Sequence, residues 1–206
     1  MSRSSAEKAS GSRVARRKEK TKGVLLEVAR RLFSEKGIYW ATVEDITETA
    51  DLGKGTFFKY FDSKETLLRV LLEEGLNELL AESERATAGA PSGPKRLSAI
   101  IGARVDYFLS HPDSLLMFHQ IRGLMQLQVD AAKELRSVYD AHLRRLGQLL
   151  QPAVEGGGRA RDVATAVAAY TSGLLTYHLL FEGIDQLRRR RDRIVRALEQ
   201  SLTALL

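Results

Sequence analysis

Residues 42–67 read TVEDITETADLGKGTFFKYFDSKETL, and this stretch decides the fold. Thr42 has the side chain of a helix N-cap, with Asp45 three positions on as a capping-box partner. The pattern predicts a short helix through Ala50, a tight connection at Asp51-Leu52-Gly53, and a second short helix from Lys54 to about Tyr60. Phe57 and Phe61 stand four apart, so the second helix has one apolar side for a core. Lys54, Gly55, Thr56 and Lys59 stay free on its other sides. Asp62 and Ser63 offer the cap of a longer, Leu-rich helix. Upstream, Leu25, Val28, Ala29, Leu32 and Phe33 form one helical stripe that ends at Gly37. Ile46, Leu52, Leu32, Phe33, Phe57 and Phe61 are the expected core; Tyr39 and Trp40 suit either that core or a DNA contact, with core packing ranked first.

Two short helices on a three-residue turn, braced by a third, form a helix-turn-helix. Such a unit works on DNA when its second helix is short and shows small or polar groups to base edges. The stretch Leu25–Leu72 resembles the tetracycline-repressor (TetR) family of bacterial transcriptional regulators. The matching residues are Ala29/Leu32/Phe33, Gly37, Thr42/Ile46/Ala50, Lys54-Gly55-Thr56, Tyr60-Phe61, Ser63-Lys64-Glu65 and Leu67. The resemblance implies that Lys54, Gly55 and Thr56 approach bases or flanking phosphates. It implies that Tyr60 and Lys64 contact phosphates, and that Thr42 faces the DNA backbone. Lysines suit phosphates, Gly55 permits close approach, and the Thr56 methyl and hydroxyl suit a thymine edge. Three positions depart from the family pattern. Asp51 replaces a common Gly in the turn, Gly53 a common Ser, and Phe58 a common Tyr, so that Lys59 takes over one backbone contact. Asp tolerates the left-handed conformation that the turn requires.

Outward from this core the chain of 206 residues keeps helical periodicity, and the expected fold is all-α with about nine helices and no sheet. The segment 86–94 (ATAGAPSGP) reads as a linker, and 156–158 (GGG) as a helix stop. Three parts are expected: a disordered basic arm over 1–22, a helix-turn-helix domain over 23–66, and an effector-binding and dimerisation domain over 67–206. The net charge of +6 lies wholly in the arm, which has eight basic and two acidic residues; residues 23–206 hold 24 of each. The arm is either a solubilising tail or a grip on phosphates.

The stretch Val163–Phe181 carries no charge, yet its Thr, Ser, His and Tyr residues favour a helix covered on both faces over a membrane span. The final helix shows Ile184, Leu187, Ile194, Val195, Leu198, Leu202 and Leu205 on one stripe. Residues from about 159 to 206 are therefore expected to form a two-fold homodimer interface, which the resemblance also implies. Polar groups interrupt apolar stripes at Arg104, His119, Arg122, His142, Tyr170, Tyr177 and His178. With Phe108 and Met125 they are the candidate lining of a small-molecule effector pocket. A pocket-facing Arg104 or Arg122 favours an anionic or polar effector.

Catalytic signatures are missing. Gly53-Lys54-Gly55-Thr56 lacks the upstream Gly of a phosphate loop, and neither G-x-S-x-G nor H-E-x-x-H occurs. His111, His119, His142 and His178 have no ligand spacing and Cys is absent, so no metal and no cofactor are expected. The reading is a cytoplasmic, homodimeric, ligand-responsive regulator, a repressor by family default, that binds double-stranded pseudo-palindromic DNA. It is not an enzyme and has no membrane partner. The alternatives are a nonspecific architectural DNA-binding protein dominated by its arm, and a helical module with a vestigial helix-turn-helix.

Overall fold

The computed structural model describes residues 3–89, 93–126, 130–154, 159–204 and 206. Among these, ten α-helices and one 3-10 turn occur and no strand. The chain divides into two compact units, residues 1–68 and 69–206.

The first unit holds α1 (Arg3–Glu35), α2 (Val43–Thr49), α3 (Lys54–Phe57) and the beginning of α4 (Lys64–Thr87). Leu25, Ala29 and Phe33 of α1 are fully buried with Ile46 of α2 and Phe57 of α3, and Phe61 is 2% exposed beside them. The capping box forms as its spacing predicts. The Asp45 N–H donates to Thr42 Oγ1 at 3.0 Å, and the Thr42 N–H donates to Asp45 Oδ2 at 2.9 Å. Asp51 takes φ 52°, so an Asp side chain carries the left-handed turn between α2 and α3. The second helix is shorter than expected. After Phe57 the chain tightens into 3-10 geometry, with the Tyr60 N–H on the Phe57 carbonyl at 2.9 Å.

The arm corrects an expectation. Arg3–Glu35 is one helix, so the basic segment is not unstructured from residue 3 onward. Its Ala, Arg, Lys and Glu residues are good helix formers, and residues 25–33 supply a packed nucleus that it only extends. Residues 1 and 2 lie outside the described residues.

The second unit contains the remainder of α4, then α5 (Pro94–Ser110), α6 (Pro112–Leu124), α7 (Asp130–Leu150), a 3-10 turn (Gln151–Ala153), α8 (Ala160–Glu182), α9 (Ile184–Arg189) and α10 (Arg191–Thr203). Pro94 and Pro112 each begin a helix, where the missing N–H costs nothing. Gly75 lets α6 come close, because a Cβ there would stand 2.8 Å from Phe118 Cζ. The final helix, expected as one, is two, with the break at Arg190 (φ −96°, ψ 5°). Most of the linker 86–94 is described, but 90–92 and the glycines 156–158 lie outside the described residues, as do 127–129.

By length and composition α8 could cross a membrane, and 44% of its most apolar window is buried within the chain. Val163, Val167, Thr171 and Leu175 face inward. The other face shows Tyr170, Tyr177, Leu180 and Phe181 to solvent, each more than half exposed.

Candidate nucleic-acid interface and effector unit

Phe57 anchors α3 and leaves Lys54, Gly55 and Lys59 exposed, with Thr56 and Tyr60 half-buried. A Cβ built on Gly53 or Gly55 meets nothing within 4 Å, so this face is open to a close approach. Lys54 is ion-paired with Glu44 of α2, whose carboxyl that contact holds below its ordinary pKa. Lys36 pairs with Asp45 at 2.8 Å. Together with the Thr42 contacts this lowers the Asp45 pKa to about 2.

Two candidate residues are occupied within the unit itself. The Lys64 ammonium donates to the carbonyls of Ile38 at 2.9 Å and Ala41 at 3.0 Å, and so fixes the connection between α1 and α2. The Thr42 hydroxyl serves its own cap, bonding Asp45 Oδ2 at 2.9 Å. Tyr39 and Trp40, for which core packing ranks first, are not in the core. They are 78% and 73% exposed and meet edge to face, with ring centroids 5.2 Å apart. Buried Ile38 and Ala41 on either side take the inward positions of this short turn, which leaves the two rings outside. The Glu44–Lys54 pair was also not foreseen; its signal is an acid on the first helix and a base at the start of the second, ten residues apart.

Residues 25–71 match the family model described as "Bacterial regulatory proteins, tetR family". Over these residues the chain is similar to the tetR family. One curated relative is the HTH-type transcriptional repressor KstR2 of Rhodococcus jostii, 31% identical over 77 residues. That match spans 37% of this chain and 38% of the repressor's length. Two solved structures share the fold. The fatty acid degradation regulator FadR from Bacillus halodurans has a TM-score of 0.73 at 18% identity, covering 89% of this chain and 98% of its own. FadR from Bacillus subtilis in complex with stearoyl-CoA has a TM-score of 0.69 at 17% identity, covering 85% and 96%. KstR2 is named a transcriptional repressor and the Bacillus subtilis FadR a transcriptional regulator.

In the second unit the nine candidate pocket residues differ in burial. Arg104, Phe108 and His142 are buried, at 2%, 1% and 5% exposure. Arg122 is half-buried and donates to Ser172 Oγ at 2.5 Å. Met125 lines a shallow hollow of about 460 Å³ with Tyr139 and Leu143. His119, Tyr170 and Tyr177 are exposed. On α8 the inward phase belongs to Thr171 and Leu175, which turns Tyr170 and Tyr177 outward. His178 is half-buried, with Nδ1 3.2 Å from a Glu182 carboxylate oxygen.

A deeper pocket of about 250 Å³ lies between α4 and α7, lined by Glu73, Leu76, Asn77, Ser137, Val138, Ala141, His142 and Arg145. A larger groove of about 800 Å³ runs along α4, α5 and α10 and includes Glu82, Tyr107, Asp106 and Arg191. There Arg191 bonds both Asp106 oxygens at 2.8 Å, which raises its pKa. Burial, then Arg104 and Arg145, press the His142 pKa down to about 3, so its ring is neutral at neutral pH. No cluster of His, Cys, Asp or Glu among the described residues could hold a metal ion.

Proposed function

We propose that this chain is a tetR-family regulator, a homodimeric, ligand-responsive repressor that reads a pseudo-palindromic operator and lets go of it when a small molecule binds. The observation that carries the DNA reading is the open face of α3, with Lys54, Gly55, Thr56 and Lys59 clear of the core that holds Phe57. One recognition helix of this size reads a few base pairs, and two related by a two-fold axis read half-sites about 34–36 Å apart, or at a multiple of that spacing. Thr42, Tyr60 and Lys64 flank that face as backbone contacts.

The two-fold axis belongs at α8. Tyr170, Tyr177, Leu180 and Phe181 form a large exposed apolar strip with Gly173 open beside them. Contiguous apolar surface of that kind marks an interface. The outward residues of α10 include Arg193, Arg196 and Gln200, which suit a polar rim. This strip, rather than a lipid-facing role, accounts for the apolar length of α8. A repressor's work on DNA places the chain in the cytoplasm. The repressor role is supported by the KstR2 relative, and a small-molecule effector by the FadR neighbour holding stearoyl-CoA.

Sedimentation of the full chain tests the dimer, with Tyr177→Asp and Phe181→Asp as the variants. The wild type sediments as a dimer; the double variant is monomeric, keeps its helical content and loses most operator affinity. A wild-type monomer that binds operator with full affinity contradicts the proposal. The second reading, nonspecific binding through the basic segment, is favoured by the exposed Arg16, Arg17, Lys18 and Lys20 on α1. Removal of residues 1–20 separates the two: sequence preference survives under the first and nearly all binding disappears under the second.

A further inference from the structure

Arg104 is the buried charge that the second unit does not balance. It is 2% exposed, and among the described residues no Asp or Glu is buried with it. Its nearest polar partner is uncharged: Nη1 lies 3.4 Å from His142 Nε2, a long contact, and Nε has no partner. Burial lowers the guanidinium pKa to about 10, Tyr139 opposes that shift, and Arg122 adds to it. Arginine therefore remains charged at neutral pH, and the nearby charge is a second cation instead of an anion. Arg122 in turn rests on the neutral Ser172 hydroxyl. Two neighbouring guanidiniums, on α5 and α6, thus have only neutral partners among the described residues, which an apolar core does not leave so without a reason.

We propose that this cluster receives the anionic group, a carboxylate or a phosphate, of the effector, with Arg104 as its principal partner. The inference rests on the ligand-responsive reading given above and adds the chemical class of the ligand. The pocket of about 250 Å³ supplies the approach. His142 forms part of its wall, with Arg104 behind that ring. Leu76, Val138 and Ala141 give it apolar sides, and Arg145 stands at its edge. An amphiphilic anion fits this gradation: its apolar body lies along Leu76 and Val138, and its charged end turns inward past His142. His142 is neutral, so it leaves the positive charge to the arginines, and its bond to the Leu76 backbone orients the ring. An anion bound there supplies what Arg104 lacks.

The experiment is thermal melting of the full-length wild type, Arg104→Met and Arg104→Lys, alone and with decanoate, decyl phosphate or 1-decanol below their aggregation thresholds. Operator binding is followed in parallel by fluorescence anisotropy. The wild type melts several degrees higher with decanoate or decyl phosphate and does not respond to decanol; whichever anion acts identifies carboxylate or phosphate. Arg104→Met, free of ligand, melts at or above the wild type, because no compensating ion is lost, and its anion response disappears. Arg104→Lys retains a reduced response. Equal stabilisation by decanol, no stabilisation by either anion, or an Arg104→Met protein that melts well below the wild type overturns the proposal. A wild type that binds operator normally but shows no anion response refutes this inference alone; absence of operator binding refutes the regulatory reading.

Discussion

The two units treat their cations in opposite ways. On the helix-turn-helix, Lys54 and Lys36 are exposed and each has a carboxylate partner, Glu44 and Asp45. In the second unit Arg104 is buried, and among the described residues no carboxylate is buried with it. Exposed ion pairs contribute little to stability, generally under about 1 kcal/mol, so their lysines exchange a carboxylate for a phosphate at small cost. A buried cation without an anion is expensive, and retaining one means that something else is meant to meet it. On the proposed reading the surface cations meet a polyanion that arrives from outside, and the buried one meets a small anion that enters.

The comparison breaks most sharply at Gly55. A Cβ placed there meets nothing within 4 Å among the described residues, so Gly55→Leu is expected to change the melting temperature little while blocking the approach to DNA. Operator affinity falls on the order of a hundredfold, the worth of one or two base contacts, as read by anisotropy. Lys64→Met removes two charge-assisted hydrogen bonds to the Ile38 and Ala41 carbonyls and lowers stability by about 2–3 kcal/mol in urea unfolding.

The third test sharpens the interior side. The His142 ring is neutral in the fold down to about pH 3, whereas the unfolded chain takes up that proton below about pH 6.5. Its contribution is complete above pH 6.5 and is lost progressively as the pH falls towards 3. The melting temperature therefore drops by several degrees between pH 7 and pH 4.5, and His142→Asn flattens the profile. The smallest effect comes from Glu44→Gln, which frees Lys54. DNA binding tightens a few-fold and its salt dependence steepens by roughly one phosphate contact.

Much of the first unit could be read before its coordinates. The Thr42–Asp45 spacing gave the capping box, and Asp51 in the turn gave the left-handed residue, because both are local effects of backbone geometry. Trp40 and Tyr39 were misjudged because hydrophobicity alone does not say which residues of a short turn point inward; Ile38 and Ala41 took that role. On α8 the long uncharged run has no polar face to set its helical phase, so Tyr170 and Tyr177 could not be told from Thr171 and Leu175. The split between α9 and α10 at Arg190 had no Pro or Gly to announce it. Arg104 and His142 lie 38 residues apart on separate helices, and only the tertiary fold shows that the guanidinium lacks an acid.

The most direct test of the central claim uses the full chain and the DNA upstream of its own gene. Trp40 is the only tryptophan and is 73% exposed, so its emission reports the helix-turn-helix surface while anisotropy of labelled DNA reports binding. A thousandfold excess of unrelated DNA is then added. The account predicts that the complex persists and that footprinting shows two protected half-sites one helical turn apart or a multiple of it. Complete displacement by the unrelated DNA, with no protected half-sites, would contradict it.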